Sequence, residues 1–282
     1  MQKIGVIGAG VIGSGVAQSI AQNDFWVILV DINQQILDKA KEVIYNNIRF
    51  NAFFDPDKKE LDAENIMNRI VFTTSYDVLS DCDFIVENVN EYWETKEKVY
   101  AILNDICSSN CIFLANTSCI SITKIASVTS RPDRVIGAHF MNPVPHKKTI
   151  EIIKGQHTSE QTIKEVNKLL QQLGKDTIIV NDFPGFVSNR ISHLFINEAA
   201  FVAQDQVASP EDIDAIFKKC FEHKLGPLET ADLIGIDTVV ASLDILYNSY
   251  QDSKYRCCPL LRKMAEAGFL GRKSGQGFYK YE

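Results

Sequence analysis

The sequence predicts an α/β chain. Residues 1–182 should form a mostly parallel sheet with helices on both faces, and residues 183–282 an all-helical domain. Three observations carry this. Short apolar runs alternate with helical patterns through the first part of the chain, the rhythm of strand–helix–strand units. Three glycines cluster at the first strand-to-helix junction. After Asn181 the segment "DFPGF" breaks the chain at Pro184 and Gly185, and only helical periodicity follows.

In order, "KIGVIGAG" is a buried strand ending in a glycine turn, and "VIGSGVAQSIAQND" is a helix with apolar or small residues at helical spacing. "WVILVD" is a second buried strand, ending at Asp31, and "NQQILDKAKEVIYNNI" is an amphipathic helix. The runs "RIVFTT", "DFIVENV", "CIFLAN", "RVIGAHF", "TIEII" and "DTIIVN" supply further strands, with helices over 94–107, 121–128 and 159–174. Beyond the break, helices are expected over 186–205, 209–222, 229–251 and 258–268. The tail "GRKSGQGFYKYE" reads as irregular.

The 282 residues can bury a large core, and composition is ordinary: 45% hydrophobic and 23% charged. A net charge of −7, with no basic stripe interleaved with aromatics, argues against a nucleic-acid partner. An acidic ligand must therefore be met by local charge or helix N-termini. No apolar run reaches the ~18 residues of a membrane span. The first strand begins within the first few residues, so no signal or transit peptide is expected. The seven cysteines include a CxxxC pair, Cys107 and Cys111, without a second ligand pair. They read as reduced thiols of a cytoplasmic protein rather than as a metal site.

Gly8, Gly10 and Gly13 form G-A-G-V-I-G, with Val11 and Ile12 completing the turn, directly between strand and helix. The first glycine permits the tight turn, the second lets a pyrophosphate approach the backbone, and the third lets helix and strand pack closely. Free N–H groups at the helix N-terminus then face the phosphates. Asp31, ending the second strand, is placed to bond the ribose hydroxyls. It repels a 2′-phosphate, and no arginine follows in "DINQQ". This is a Rossmann-type site for NAD rather than NADP.

His139 ends a strand at the edge where open α/β sheets bind ligands. Glu151, between Ile150 and Ile152 in "TIEII", is a carboxylate inside an apolar strand, and a buried carboxylate needs a partner. A histidine suits it: the carboxylate selects the imidazole tautomer and stabilises the imidazolium. Beside a nicotinamide, such a pair is a base for an alcohol proton.

With these residues in view, the chain resembles the 3-hydroxyacyl-CoA dehydrogenase family essentially end to end. The matching motifs are "GVIGAGVIGSGVA", "NTS" at 116–118, "GAHFMNPVP", the following Glu151, "PGFVSNRI", "GPLETADLIGIDT" and "GRKSGQGFY". The resemblance implies an N-terminal Rossmann domain, a helical C-terminal domain that builds a homodimer, and NAD-linked interconversion of 3-hydroxyacyl and 3-ketoacyl thioesters. It implies His139 as catalytic base, Glu151 as its orienter, and Ser118 and Asn189 as the residues that hold the substrate oxygen. Cofactor contacts are implied at Glu91, Lys96, Asn142 and Lys273, each an ordinary surface residue on sequence alone. Without the resemblance, Ser118 reads equally as a cap for the helix near 121. Likewise Asn189, His193 and Asn197 form a stripe that reads as a solvated face.

Two stretches depart from the family pattern. The arm expected to meet coenzyme A phosphates carries Asn47, Phe53 and Phe54 beside Arg49, and Lys58 and Lys59 sit among Asp55, Asp57 and Glu60. The link after "NPVP", usually apolar, is His146, Lys147, Lys148, and Thr230 stands where leucine is common. Two substrates follow as expectations: a short-chain 3-hydroxyacyl-CoA such as 3-hydroxybutyryl-CoA, or a small polar hydroxyacyl group, such as glyceryl, on an acyl carrier protein.

Overall fold

A computed structural model describes residues 2–54 and 62–281, without the side chains of 51–54. The chain divides into two compact units, Met1–Asp182 and Phe183–Glu282. Of the expected arm residues, Asp55, Asp57, Lys58, Lys59 and Glu60, and the side chains of Phe53 and Phe54, lie outside what is described.

In the first unit all eight apolar runs become strands of one sheet: β1 (Lys3–Ile7), β2 (Trp26–Val30), β3 (Ile70–Thr73), β4 (Phe84–Glu87), β5 (Ile112–Ala115), β6 (Val135–His139), β7 (Thr149–Lys154) and β8 (Asp176–Asn181). Their order is β3-β2-β1-β4-β5-β6-β7-β8. The chain reverses direction across the sheet between β1 and β4, the crevice where such folds bind ligands. β4, β5 and β6 are buried at every position. That is why their sequences are continuous apolar runs rather than alternating ones. Helices α1 (Val11–Gln22), α2 (Gln34–Phe54), α3 (Ala63–Met67), α4 (Trp93–Ile106), α5 (Ile122–Ala126) and α6 (Glu160–Gln172) complete this unit. The short α3 has no counterpart among the helices expected from the sequence.

One pairing in the sheet is antiparallel. No helix crosses over between β6 and β7, so β7 returns against β6 with His139 opposite Glu151. β8 then pairs parallel to β7.

The second unit is helical: α7 (Ser188–Gln204), α8 (Pro210–Cys220), α9 (Pro227–Ile234), α10 (Ile236–Tyr250) and α11 (Pro259–Glu266). Ile196, Ala200, Ile236, Val239, Leu243 and Leu261 are buried in its core. The single helix expected over 229–251 is two. Gly235, at φ +104°, breaks it in a conformation that side chains rarely adopt. The tail is also more ordered than its composition suggests. The buried Asp232 carboxylate accepts from the N–H groups of Phe278 and Tyr279 and from the Tyr281 hydroxyl, pinning the tail to α9.

Candidate active site

The glycine turn can be tested position by position. Gly8 has φ +86°, and a Cβ there would lie 2.6 Å from the Asn88 carbonyl oxygen. A Cβ on Gly13 would lie 1.8 Å from the Gly8 oxygen, so the helix sits against the turn as only glycine permits. At Gly10 a Cβ would meet nothing within 4 Å, leaving open space at the start of α1. No acidic residue occupies the first turn of α1, so its N–H groups and positive end face that space unopposed. Asp31 Oδ2 accepts from Ala9 N–H at 2.8 Å, which holds the carboxylate beside the turn. The residues present fit a dinucleotide: room for a pyrophosphate at Gly10 and a carboxylate for ribose hydroxyls at Asp31.

At the same sheet edge, His139 Nδ1 lies 3.1 Å from Glu151 Oε2. Both residues are 8% exposed. Side chains directly opposite in an antiparallel pair share one face, so the register brings them together. The partner expected for Glu151 is therefore His139. Ser118 Oγ is 3.4 Å from the other ring nitrogen, Nε2. The helix after Ser118 is capped by Ser121, whose hydroxyl accepts from Lys124 N–H at 3.2 Å, so capping is not the task of Ser118.

Ser118 stands on a loop held by Glu91. Glu91 Oε1 accepts from the N–H groups of Ser118 at 2.8 Å and Cys119 at 2.9 Å, and from the Thr117 hydroxyl. Behind it lies Lys96, which is no surface residue: it is fully buried. Its ammonium sits 2.8 Å from both oxygens of the equally buried Glu87, 3.1 Å from the Asn116 carbonyl and 3.7 Å from Glu91. Burial pushes the Glu87 carboxyl above its usual range, against the opposing pull of Lys96. Sequence reasoning missed Glu87, although it carries the same signal as Glu151, a carboxylate inside an apolar run. Asn116 was also missed as a bridge: its amide accepts from Phe140 N–H at 3.1 Å and donates to Asn88 at 2.8 Å, tying the end of β5 to the residue after His139.

The departures at the link and at Thr230 have local explanations. His146, Lys147 and Lys148 are exposed in a turn whose N–H groups at 146 and 147 both reach the Pro143 carbonyl. The Thr230 hydroxyl donates to the Gly226 carbonyl at 2.7 Å within its own helix, so its polarity is satisfied there. Asn142 is exposed at the start of the link. Residues 142–145 line a pocket of ≈ 490 Å³ together with Ala9, Gly10 and Val11 of the glycine turn.

In the second unit the stripe on α7 is not solvated. His193 and Asn197 are each 3% exposed. His193 Nδ1 approaches the Asn189 carbonyl at 2.9 Å, and the Asn197 amide clamps the backbone of Arg256 and Cys258. Asn189 itself is half-buried. Lys273 is exposed and its ammonium donates to Asp237 at 2.7 Å. Among the described residues there is no cluster of potential metal ligands, and no helix is long and apolar enough to cross a membrane.

A doubly wound sheet with this glycine turn, and a histidine–carboxylate pair at the same edge, define a dinucleotide-dependent dehydrogenase. Residues 3–183 match 3-hydroxyacyl-CoA dehydrogenase, NAD binding domain, and residues 185–281 match 3-hydroxyacyl-CoA dehydrogenase, C-terminal domain. The chain belongs to the 3-hydroxyacyl-CoA dehydrogenase family and is an NAD-dependent oxidoreductase. It is 44% identical over 279 residues to a probable 3-hydroxybutyryl-CoA dehydrogenase of Deinococcus radiodurans, covering 99% of this chain and 100% of that one. It is 42% identical over 283 residues to a probable 3-hydroxybutyryl-CoA dehydrogenase of Bacillus subtilis, covering 100% and 98%. Among solved structures, (S)-3-hydroxybutyryl-CoA dehydrogenase PaaH1 from Ralstonia eutropha superposes with a TM-score of 0.94 at 41% identity, over 100% of this chain and 99% of that one.

Proposed function

We propose that the protein interconverts 3-hydroxybutyryl-CoA and acetoacetyl-CoA, with His139 as the acid–base. The observation that carries this is the Glu151–His139–Ser118 alignment at the sheet edge that also bears the glycine turn. When bound, NAD supplies the hydride acceptor. An ionised carboxylate can only accept, so with Glu151 ionised Nδ1 carries the hydrogen and, in the neutral ring, Nε2 keeps its lone pair. Nε2 then takes the proton from the hydroxyl oxygen as hydride leaves the carbon that bears it, and Glu151 stabilises the imidazolium formed. In the reverse direction the imidazolium returns that proton to the carbonyl oxygen.

Ser118 orients the reacting oxygen, by its place beside the imidazole. The turn Gly8, Gly10, Val11, Ile12 and Gly13, with Asp31, Glu91, Lys96 and Asn142, forms the first unit's part of the cofactor site in this reading. Lys96 acts through Glu91, 3.7 Å away, because its own surface is buried. The names of the relatives support coenzyme A as carrier and a four-carbon acyl group. Exposed Val187, Ile191 and Phe221 on the helical unit support a homodimer, and seven free thiols support a cytoplasmic location.

The test is NADH oxidation with acetoacetyl-CoA, longer 3-ketoacyl-CoAs and acetoacetyl-pantetheine. Saturable turnover that is most efficient with acetoacetyl-CoA is expected. Absence of turnover with it would overturn the proposal.

A further inference from the structure

We propose that Lys175 is a positioning residue: it sets the wall of the cofactor pocket by holding the link between His139 and Thr149. This rests on the dehydrogenase reading above. The link begins beside the base, carries Asn142, and folds back through the Pro143 carbonyl, which accepts from His146 at 3.1 Å and Lys147 at 3.2 Å. Lys175 follows α6 and is 5% exposed. Its ammonium donates to the carbonyls of Val144 at 2.7 Å and Lys147 at 2.8 Å. Burying an ammonium costs several kcal/mol unless it is well bonded, and an apolar side chain of that length would fill the space without that cost. The charge is therefore used on the link's backbone.

From another side the link meets α1. A Cβ on Gly15 would lie 3.1 Å from the Val144 Cβ and 3.6 Å from the Pro145 Cδ. The link is thus located by Lys175 and by the bare backbone of Gly15 together. Its residues 142–145 face Gly10 and Val11 across the pocket beside the glycine turn. The His139–Glu151 pair, by contrast, is held by the β6–β7 register, whereas the Lys175 ammonium donates to carbonyls of the link. Moving the link should therefore change cofactor affinity and leave the acid–base pair in place.

Lys175→Met tests this. NADH affinity is read by fluorescence titration, and kcat and its pH profile are read with acetoacetyl-CoA at saturating NADH. The expected result is NADH binding weaker by about tenfold, with kcat within about twofold and the pH profile unmoved. Gly15→Ala, which must shift Val144 by a few tenths of an ångström, should weaken NADH binding in the same way. A folded Lys175→Met that binds NADH within about twofold of the parent overturns the inference. If Lys175→Met does not fold, Gly15→Ala decides: weaker NADH binding at unchanged kcat supports the inference, and unchanged binding overturns it. The parent protein binding NADH without turning over any 3-ketoacyl-CoA would overturn the functional proposal instead, while the comparison of NADH affinities would still decide this one.

Discussion

His139 and Glu151 face each other across the antiparallel β6–β7 pair, with Nδ1 3.1 Å from Oε2. Strand register, not a flexible loop, sets that distance. The carboxylate aligns the ring and stabilises its charged form, so the pair should act as a unit. His139→Gln should lower kcat by about 10²–10⁴-fold with NADH binding retained. Glu151→Gln should lower kcat as well. A Glu151→Gln enzyme with parental kcat would show that the pair does no acid–base chemistry.

Ser118 and Glu91 should be energetically coupled. Glu91 holds the N–H groups of 118 and 119, and Ser118 Oγ meets the imidazole. Ser118→Ala and Glu91→Gln should each reduce kcat/KM by about tenfold or more. The double variant should fall short of the product of the two, since Glu91→Gln acts partly by releasing Ser118. Strict additivity in kcat/KM would separate the two roles.

Lys96→Met leaves the Glu87 carboxylate buried without its ion partner and should destabilise the fold by about 3–5 kcal/mol in urea titrations. Glu87 already has its carboxyl raised above 4.5 by burial. A raised folded-state value contributes stability that is fully present below 4.5 and lost as pH rises through the folded value. The Lys96→Met deficit should therefore be smallest in acid and grow as pH rises. Glu87→Gln in the same chain should recover part of it. A deficit that is the same at every pH would remove Glu87 from the explanation.

Burial raises the Cys82 thiol to about 12 and the Cys257 thiol to about 11, while Cys220 is exposed. The other six thiols are buried, Cys107 among them, so a disulfide reagent at neutral pH should modify Cys220 alone in the folded protein, and all seven thiols after denaturation. Both raised values exceed the ordinary 9.0. The stability they contribute is present below 9.0 and lost as pH rises through 11 and 12. Several rapidly reacting thiols in the native protein would contradict the burial of this set.

Much of the site was legible because local chemistry and chain period carry it. The strand–turn–helix with Gly8, Gly10 and Gly13 needs only neighbours in sequence, and the exclusion of any side chain at Gly13, where a Cβ would lie 1.8 Å from the Gly8 oxygen, is a local steric demand. His139 at a strand end and Glu151 inside an apolar strand signal a buried pair through the cost of burying a charge. Lys96 was read wrongly as a surface residue because a lysine on an amphipathic helix normally reaches water, and its acceptors come from elsewhere in the sheet, Glu87 at the end of β4 and Asn116 just after β5.

The sequence by itself determined the alternation of strands and helices, the dinucleotide turn and the break near Asp182, since periodicity, glycine and proline act over a few residues. Only the tertiary structure decided that β7 runs against β6, that Ser118 lies beside the imidazole, and that Lys175 grips the link at Val144 and Lys147. The physical reason is the same in each case. These contacts join residues far apart in the chain, and their geometry exists only once the sheet has brought its strands into register.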